Sequence, residues 1–138
     1  MKYVLDSCVA FKWSVVESET AEARRLRDDY LRAVVELIAP DVFPLEISHA
    51  LTRAERQKRI TAAESAQFLR DLIRAIPLLY PSFPLLARAH SISSALRVGV
   101  YDCLYVAHAE REGCDLVTAD VKLLRTLGPH FPFIIPLA

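Results

Sequence analysis

Four acidic side chains stand where this chain could do chemistry. Asp6 follows the apolar run Tyr3-Val4-Leu5, Asp120 follows Leu116-Val117-Thr118, Asp102 opens one helical stretch and Glu46 lies inside another. Each aspartate taken alone reads as a helix cap, because Asp directly before a helix accepts a bond from an exposed N–H. Glu46 does not fit that reading. On a helical wheel Phe43, Ile47, Ala50, Leu51 and Ala54 form an apolar stripe with Glu46 at its border, so the carboxylate points partly inward. Asp102 has the same character, since Val106 at i+4 and Ala109 at i+7 continue its row along an apolar face. The structural alternative for Glu46 is a salt bridge to Arg53, two turns further on.

Together the four acids imply a metal. Carboxylates crowded into one concave site raise one another's pKa unless a divalent cation neutralises them. Ligands that are all oxygen suit a hard ion, Mg²⁺ or Mn²⁺, which keeps water in its shell and usually meets substrate phosphate. The chemistry is then metal-assisted phosphodiester cleavage, with a bound water acidified to a nucleophile and charge on phosphorus stabilised.

Such a site needs elements that bring distant acids together. Tyr3–Leu5, Leu37–Ala39, the proline-bracketed stretch 77–81, Asp115–Thr118 and Phe133–Ile135 read as short strands. Helical periodicity covers Glu17–Leu37, Phe43–Lys58, Ala62–Ala75, Leu85–Leu96, Tyr101–Glu112 and Val121–Leu127. Strands that are apolar on both faces and alternate with helices predict an α/β fold, a parallel sheet flanked by helices on both faces. In such a sheet the ligand site lies beyond the carboxyl ends of the strands, where Asp6 and Asp120 fall. The 138 residues suit a single domain, 1–138, without repeats or linkers.

Composition removes other classes. Glycine occurs only at 99, 113 and 128, so neither a Walker loop nor a dinucleotide fingerprint can be written. Cys8, Cys103 and Cys114 make an odd count without a Cys-x-x-Cys pair, which fits a reducing compartment and excludes a zinc ribbon. With no signal peptide and no apolar run of membrane length, a cytoplasmic protein without membrane contact is expected. Seventeen basic and seventeen acidic residues cancel, so any polyanion must be gripped by a local patch.

The segments Val4-Leu5-Asp6-Ser7, Pro44-Leu45-Glu46-Ile47, Tyr101-Asp102-Cys103-Leu104-Tyr105-Val106-Ala107 and Leu116-Val117-Thr118-Ala119-Asp120 resemble the acidic motifs of PIN-domain ribonucleases, particularly VapC-type toxins. The resemblance covers essentially the whole chain. It implies a three-layer α/β sandwich, an Mg²⁺- or Mn²⁺-dependent RNA endonuclease, a homodimer and silencing by a cognate antitoxin protein. By position it makes Asp6, Glu46, Asp102 and Asp120 the metal-binding and catalytic acids, and Ser7 and Thr118 supporting hydroxyls. Some members carry a further acid shortly after the last one; here Val121, Lys122, Leu123 and Leu124 follow, so the resemblance does not extend to a tightly held second metal.

The remaining polar residues are weighed against that expectation. Arg53, Arg56, Lys58 and Arg59 share or adjoin the helix of Glu46 and form the patch that could hold RNA phosphates. Arg24, Arg25 and Arg27 lie among acids and read as a solvated face. His49 completes one Glu-x-x-His pair where a di-iron bundle needs two, and falls away from the apolar stripe toward solvent. Cys8 and Cys103 read as small buried side chains and not as nucleophiles. Trp13, Tyr30, Tyr101 and Tyr105 could stack on bases, with packing as the default. Two other functions stay open: a non-catalytic PIN-like module that binds RNA or protein, and an aspartyl-phosphate phosphatase using Asp6, although the latter usually wants an Asp where Cys8 stands.

Overall fold

The computed structural model describes all 138 residues. Five strands, β1 (Lys2–Leu5), β2 (Glu36–Pro40), β3 (Leu78–Tyr80), β4 (Asp115–Thr118) and β5 (Ile134–Pro136), form one sheet in the order β3-β2-β1-β4-β5. Every pairing is parallel. The helices are α1 (Ser7–Ser14), α2 (Thr20–Leu31), α3 (Phe43–Arg56), α4 (Ala62–Arg74), α5 (Leu86–Leu96), α6 (Val100–Glu112) and α7 (Val121–Leu127), with a 3₁₀ turn at Phe83–Leu85.

This topology follows from the connections. The chain steps outward from β1 to β2 to β3, then crosses back over the sheet to β4 and on to β5. Right-handed crossovers place α1 to α4 on one face and α5 to α7 on the other. The result is the three-layer sandwich expected from the alternating pattern. The strand direction of travel reverses between β1 and β4, and the crevice beyond their carboxyl ends is the topological switch point. Leu5 pairs with Val117 there, so the residues that follow in each chain segment, Asp6 and Thr118, become neighbours.

The core is one cluster of 33 buried apolar residues running from Val4 to Leu137. On α3 the predicted stripe is realised, with Phe43, Ile47, Leu51 and Ala54 buried, while Glu46 is half-buried at its edge. A capping box starts α4, in which Thr61 accepts from the Glu64 amide and Glu64 accepts from the Thr61 amide. Gly113 ends α6 in the left-handed region, where glycine carries no Cβ penalty.

Two sequence expectations are corrected. The helix expected over Glu17–Leu37 runs only over Thr20–Leu31. Ala33 turns to φ 60°, and the amides of Ala33 and Val34 bond back to Tyr30 and Asp29, a Schellman stop built without glycine that frees Leu37 for β2. Helix α1 was not anticipated at all. Its residues Val9 to Trp13 are all buried, so it lacks the polar face from which amphipathic periodicity is read.

Candidate active site

The site is assembled at the switch point from four separate segments. Strand β1 delivers Asp6, which is buried and whose amide donates to the Val117 carbonyl at 3.1 Å. Strand β4 ends in Thr118, fully buried, whose hydroxyl donates to Asp6 Oδ2 at 2.7 Å and accepts the Asp120 amide at 3.0 Å. One threonine thus ties two of the acidic segments together. Asp120 also caps α7, its Oδ1 accepting the Leu123 amide at 3.1 Å, so the capping reading holds for this residue as one of its roles. Asp6 occupies the cap position of α1 but makes no side-chain cap bond, which leaves the simple capping account without support there.

Glu46 reaches in from α3. The Arg53 salt bridge does not form; instead the Tyr105 hydroxyl donates to Glu46 Oε1 at 2.6 Å. Tyr105 lies on α6 three residues after Asp102, hence on the same helical side, and its ring is buried. Because α3 and α6 belong to opposite layers, this bond spans the end of the sheet and holds the glutamate over it.

The acids are close enough to feel one another's charge. Burial, then the Asp6, Asp120 and Glu46 carboxylates, push the Asp102 carboxyl up to about 6, with Lys122 opposing weakly. Burial also raises Asp6, against hydrogen bonds to Thr118 and Cys8, and Asp120 adds to the rise. Glu46 is raised by burial and by Asp6, with the Tyr105 and Ser7 hydroxyls favouring its ionised form. No arginine or lysine forms an ion pair with any of the four. This pattern of mutual repulsion without an internal counter-charge suits a divalent cation.

The donor set was tested against such an ion. No three His, Cys, Asp or Glu side chains close around one point as a ready-made cage. The cleft bordered by Asp102 and Asp120 has a volume of about 140 Å³, room for an ion with several of its waters. An oxygen-only, partly open site of this kind matches Mg²⁺ or Mn²⁺, which retain water, better than ions that demand a closed protein cage. The donors present are thus of the oxygen type that these ions take, although no three of them converge on one point.

The other predicted residues divide. Ser7 lies beside Glu46 in a second groove, with Val42, Leu45, His49, Ala50 and Tyr101. Arg53, Arg56 and Lys58 are exposed and make no ion pair. Arg59 is held by Glu17 at 2.9 Å and lies over the Phe11 ring, so it is the least available of the basic group. His49 is exposed, as its place on the wheel predicts. Burial raises the Cys8 thiol far above its usual range and Cys103 to about 11, so neither is a nucleophile. Two contributors escaped the sequence reading: Tyr105, treated there as packing, and the cations Arg97 and Lys122 at the rim of the Asp102–Asp120 cleft. The i, i+3 spacing from Asp102 was the available signal for Tyr105.

Comparisons with known proteins agree with this architecture. A family model, the PIN domain, matches residues 3–127. The VapC ribonuclease Mb0985 of Mycobacterium bovis and ribonuclease VapC9 of Mycobacterium tuberculosis are each 34% identical over 124 residues, covering 88% of this chain and 96% of theirs. Among solved structures, PAE2754 from Pyrobaculum aerophilum superposes with a TM-score of 0.71 at 19% identity, covering 99% of this chain and 92% of that one. VapBC2 from Rickettsia felis, solved bound to a DNA fragment from its promoter, gives 0.65 at 15% identity, covering 99% and 97%. At that identity the two structures speak for the fold, while the family rests on the domain model and the near full-length mycobacterial matches. The chain belongs to the PIN-domain family and, within it, to the VapC ribonucleases.

Proposed function

We propose that this protein is an Mg²⁺- or Mn²⁺-dependent endoribonuclease and the toxin of a toxin-antitoxin pair. The observation that carries the reading is the gathering of carboxylates 6, 46, 102 and 120 at the switch point, where burial and neighbouring charge raise Asp6, Glu46 and Asp102 and no cation is paired with any of the four. Asp6, Glu46, Asp102 and Asp120 would hold the metal. When bound, the ion supplies Lewis acidity toward a phosphodiester and lowers the pKa of a water. The chain's own residues do the positioning. Thr118 holds Asp6 by Oδ2 and Tyr105 holds Glu46 by Oε1, which leaves the other oxygen of each carboxylate free to face the ion. Ser7 follows Asp6 directly and its hydroxyl lies beside Glu46, and Arg53, Arg56 and Lys58 draw in phosphate from one flank.

The membership in the VapC ribonucleases supports RNA as substrate and a cognate antitoxin as partner. A homodimer is proposed through the helical pair α3 and α4, where the exposed Ile73 extends the apolar surface, and a second copy would double the basic patch. No helix is long and apolar enough to cross a membrane, in keeping with the proposed cytoplasmic setting. Cleavage of single-stranded RNA is expected in Mg²⁺ or Mn²⁺ and not after chelation. Undiminished cleavage in chelator would overturn the mechanism, and normal growth on production of the active protein alone would overturn the toxin role.

A further inference from the structure

Three of the four aromatic residues singled out in the sequence are used inside the fold. Trp13 donates to the Ala23 carbonyl at 2.9 Å, Tyr30 to the Ile76 carbonyl at 2.8 Å, and Tyr105 to Glu46. Tyr101 is different. It is 59% exposed, one residue before Asp102, and its ring borders the groove that has Ser7 and Glu46 at one end. The groove is large, about 550 Å³, with an apolar wall from Val42, Leu45 and Ala50, and, away from Ser7 and Glu46, the His49 imidazole as a polar group.

Its surroundings say what it takes. One end opens on the acids; past His49 and Ala50 a second depression continues to Arg53, which makes no ion pair. From Glu46 to Arg53 along α3 is about 10 Å at the helical rise, and the unpaired cation there suits a phosphate next to the one held at the acids. Between the acids, which would hold a phosphate through their metal, and the Arg53 cation, an apolar slot with an exposed aromatic side chain fits a flat, uncharged ring system. A base still stacked in a duplex cannot present its face to such a platform, whereas an unpaired one can.

We infer that the groove between α3 and Tyr101 is a nucleobase subsite, which seats one unpaired base of the RNA beside the cleaved phosphate, with Tyr101 as stacking platform and His49 at the base edge. This rests on the ribonuclease reading and adds to it the seat of one base. Tyr101 is a specificity-determining residue in this scheme and takes no part in bond breaking.

The test is binding of a short fluorescein-labelled oligoribonucleotide by the full-length Asp102→Asn protein in EDTA, as a single strand and annealed to its complement. Cleavage by the otherwise wild-type protein in Mn²⁺ is followed in parallel. Tyr101→Ala is expected to weaken single-strand binding by about 5- to 50-fold, and Tyr101→Phe to restore it, since a stacked base contributes on that scale. In cleavage the same loss should fall on KM, with kcat little changed, and Tyr101→Ala should melt as the parent does. Arg53→Ala should lower the salt dependence of binding by about one unit of slope. Equal binding of duplex and single strand, or unaltered binding by Tyr101→Ala, would overturn the subsite even if the protein cleaves RNA. Tyr101-dependent binding without cleavage would uphold the subsite and overturn the nuclease reading. Loss of inhibition by a protein partner in Tyr101→Ala, with RNA binding intact, would assign the groove to that partner instead.

Discussion

Glu46 and Glu110 are the same side chain in opposite settings. Glu110 lies on the outer side of α6 and receives both the Nε and an Nη of Arg88, at 2.8 and 3.0 Å, which hold its carboxyl below the usual range. Glu46 is half-buried, faces Asp6, and has only the neutral hydroxyls of Tyr105 and Ser7 as donors, so burial and the Asp6 charge raise its carboxyl. A carboxylate whose charge is satisfied inside the chain stabilises or idles; one whose charge is left to be satisfied from outside is available for a ligand. On that difference the switch point is the proposed working end of the molecule.

The largest expected effect is on cleavage itself. Asp6→Asn or Asp102→Asn should reduce RNA cleavage by at least about a hundredfold while circular dichroism and gel filtration remain those of the parent, because an amide cannot supply the missing charge to the ion. Full activity in both would remove the site. Next comes linkage: Mn²⁺ at roughly 100 times its dissociation constant should stabilise the fold by about 2.7 kcal/mol, seen as a rise in Tm that Asp102→Asn loses. Tyr105→Phe should weaken Mn²⁺ binding by about tenfold in calorimetry, since the ring still fills its place but Glu46 is no longer oriented. An unchanged affinity would reduce Tyr105 to packing.

A smaller effect concerns pH in the absence of metal. The Asp102 carboxyl sits near 6 in the fold against 3.8 when free, so the folded state holds its proton more tightly. Its contribution is therefore fully present below 3.8 and lost as pH rises through about 6. Burial does the reverse to His108, lowering it from 6.5 to about 4, so that its contribution is present above 6.5 and lost as pH falls. Thermal melts in EDTA should show Asp102→Asn more stable than the parent at pH 7, with the gap closing by pH 4. A gap independent of pH would mean that charge repulsion is not its source. The smallest effect belongs to the paired region: Arg88→Ala should cost less than about 1 kcal/mol, as exposed ion pairs do, and leave cleavage unchanged.

The acids were legible because each sits at a recognisable boundary, after a strand or on the edge of an apolar stripe. So was the sheet, since its strands are short apolar runs between turn-forming residues. What escaped the sequence were features that depend on distance along the chain or on the absence of pattern. Helix α1 is apolar almost all round and gives no period; the stop after α2 uses an alanine at φ 60° where glycine would have signalled it. Arg59 looked like a free cation because its partner, Glu17, lies 42 residues away. The Tyr105 hydroxyl was hidden by its own ring, which packs as any aromatic would while its oxygen meets a residue 59 positions earlier.

The pairing of β1 with β4 also sets the order of events when the chain is made. β1 is the first strand to leave the ribosome and the central one in the sheet, yet one of its edges stays open until β4 emerges. The bond from Thr118 to Asp6 joins residues 112 positions apart. At 5–20 residues per second, translation leaves an interval of roughly 6 to 22 s before it can form. Closing so long a loop is a late and entropically costly step, so the last acids arrive only when nearly the whole chain is free to fold. Assembly of the acidic cluster is thereby tied to synthesis of β4: a product truncated before Asp115 carries Asp6, Glu46 and Asp102 but lacks Asp120 and the Thr118 hydroxyl that holds Asp6.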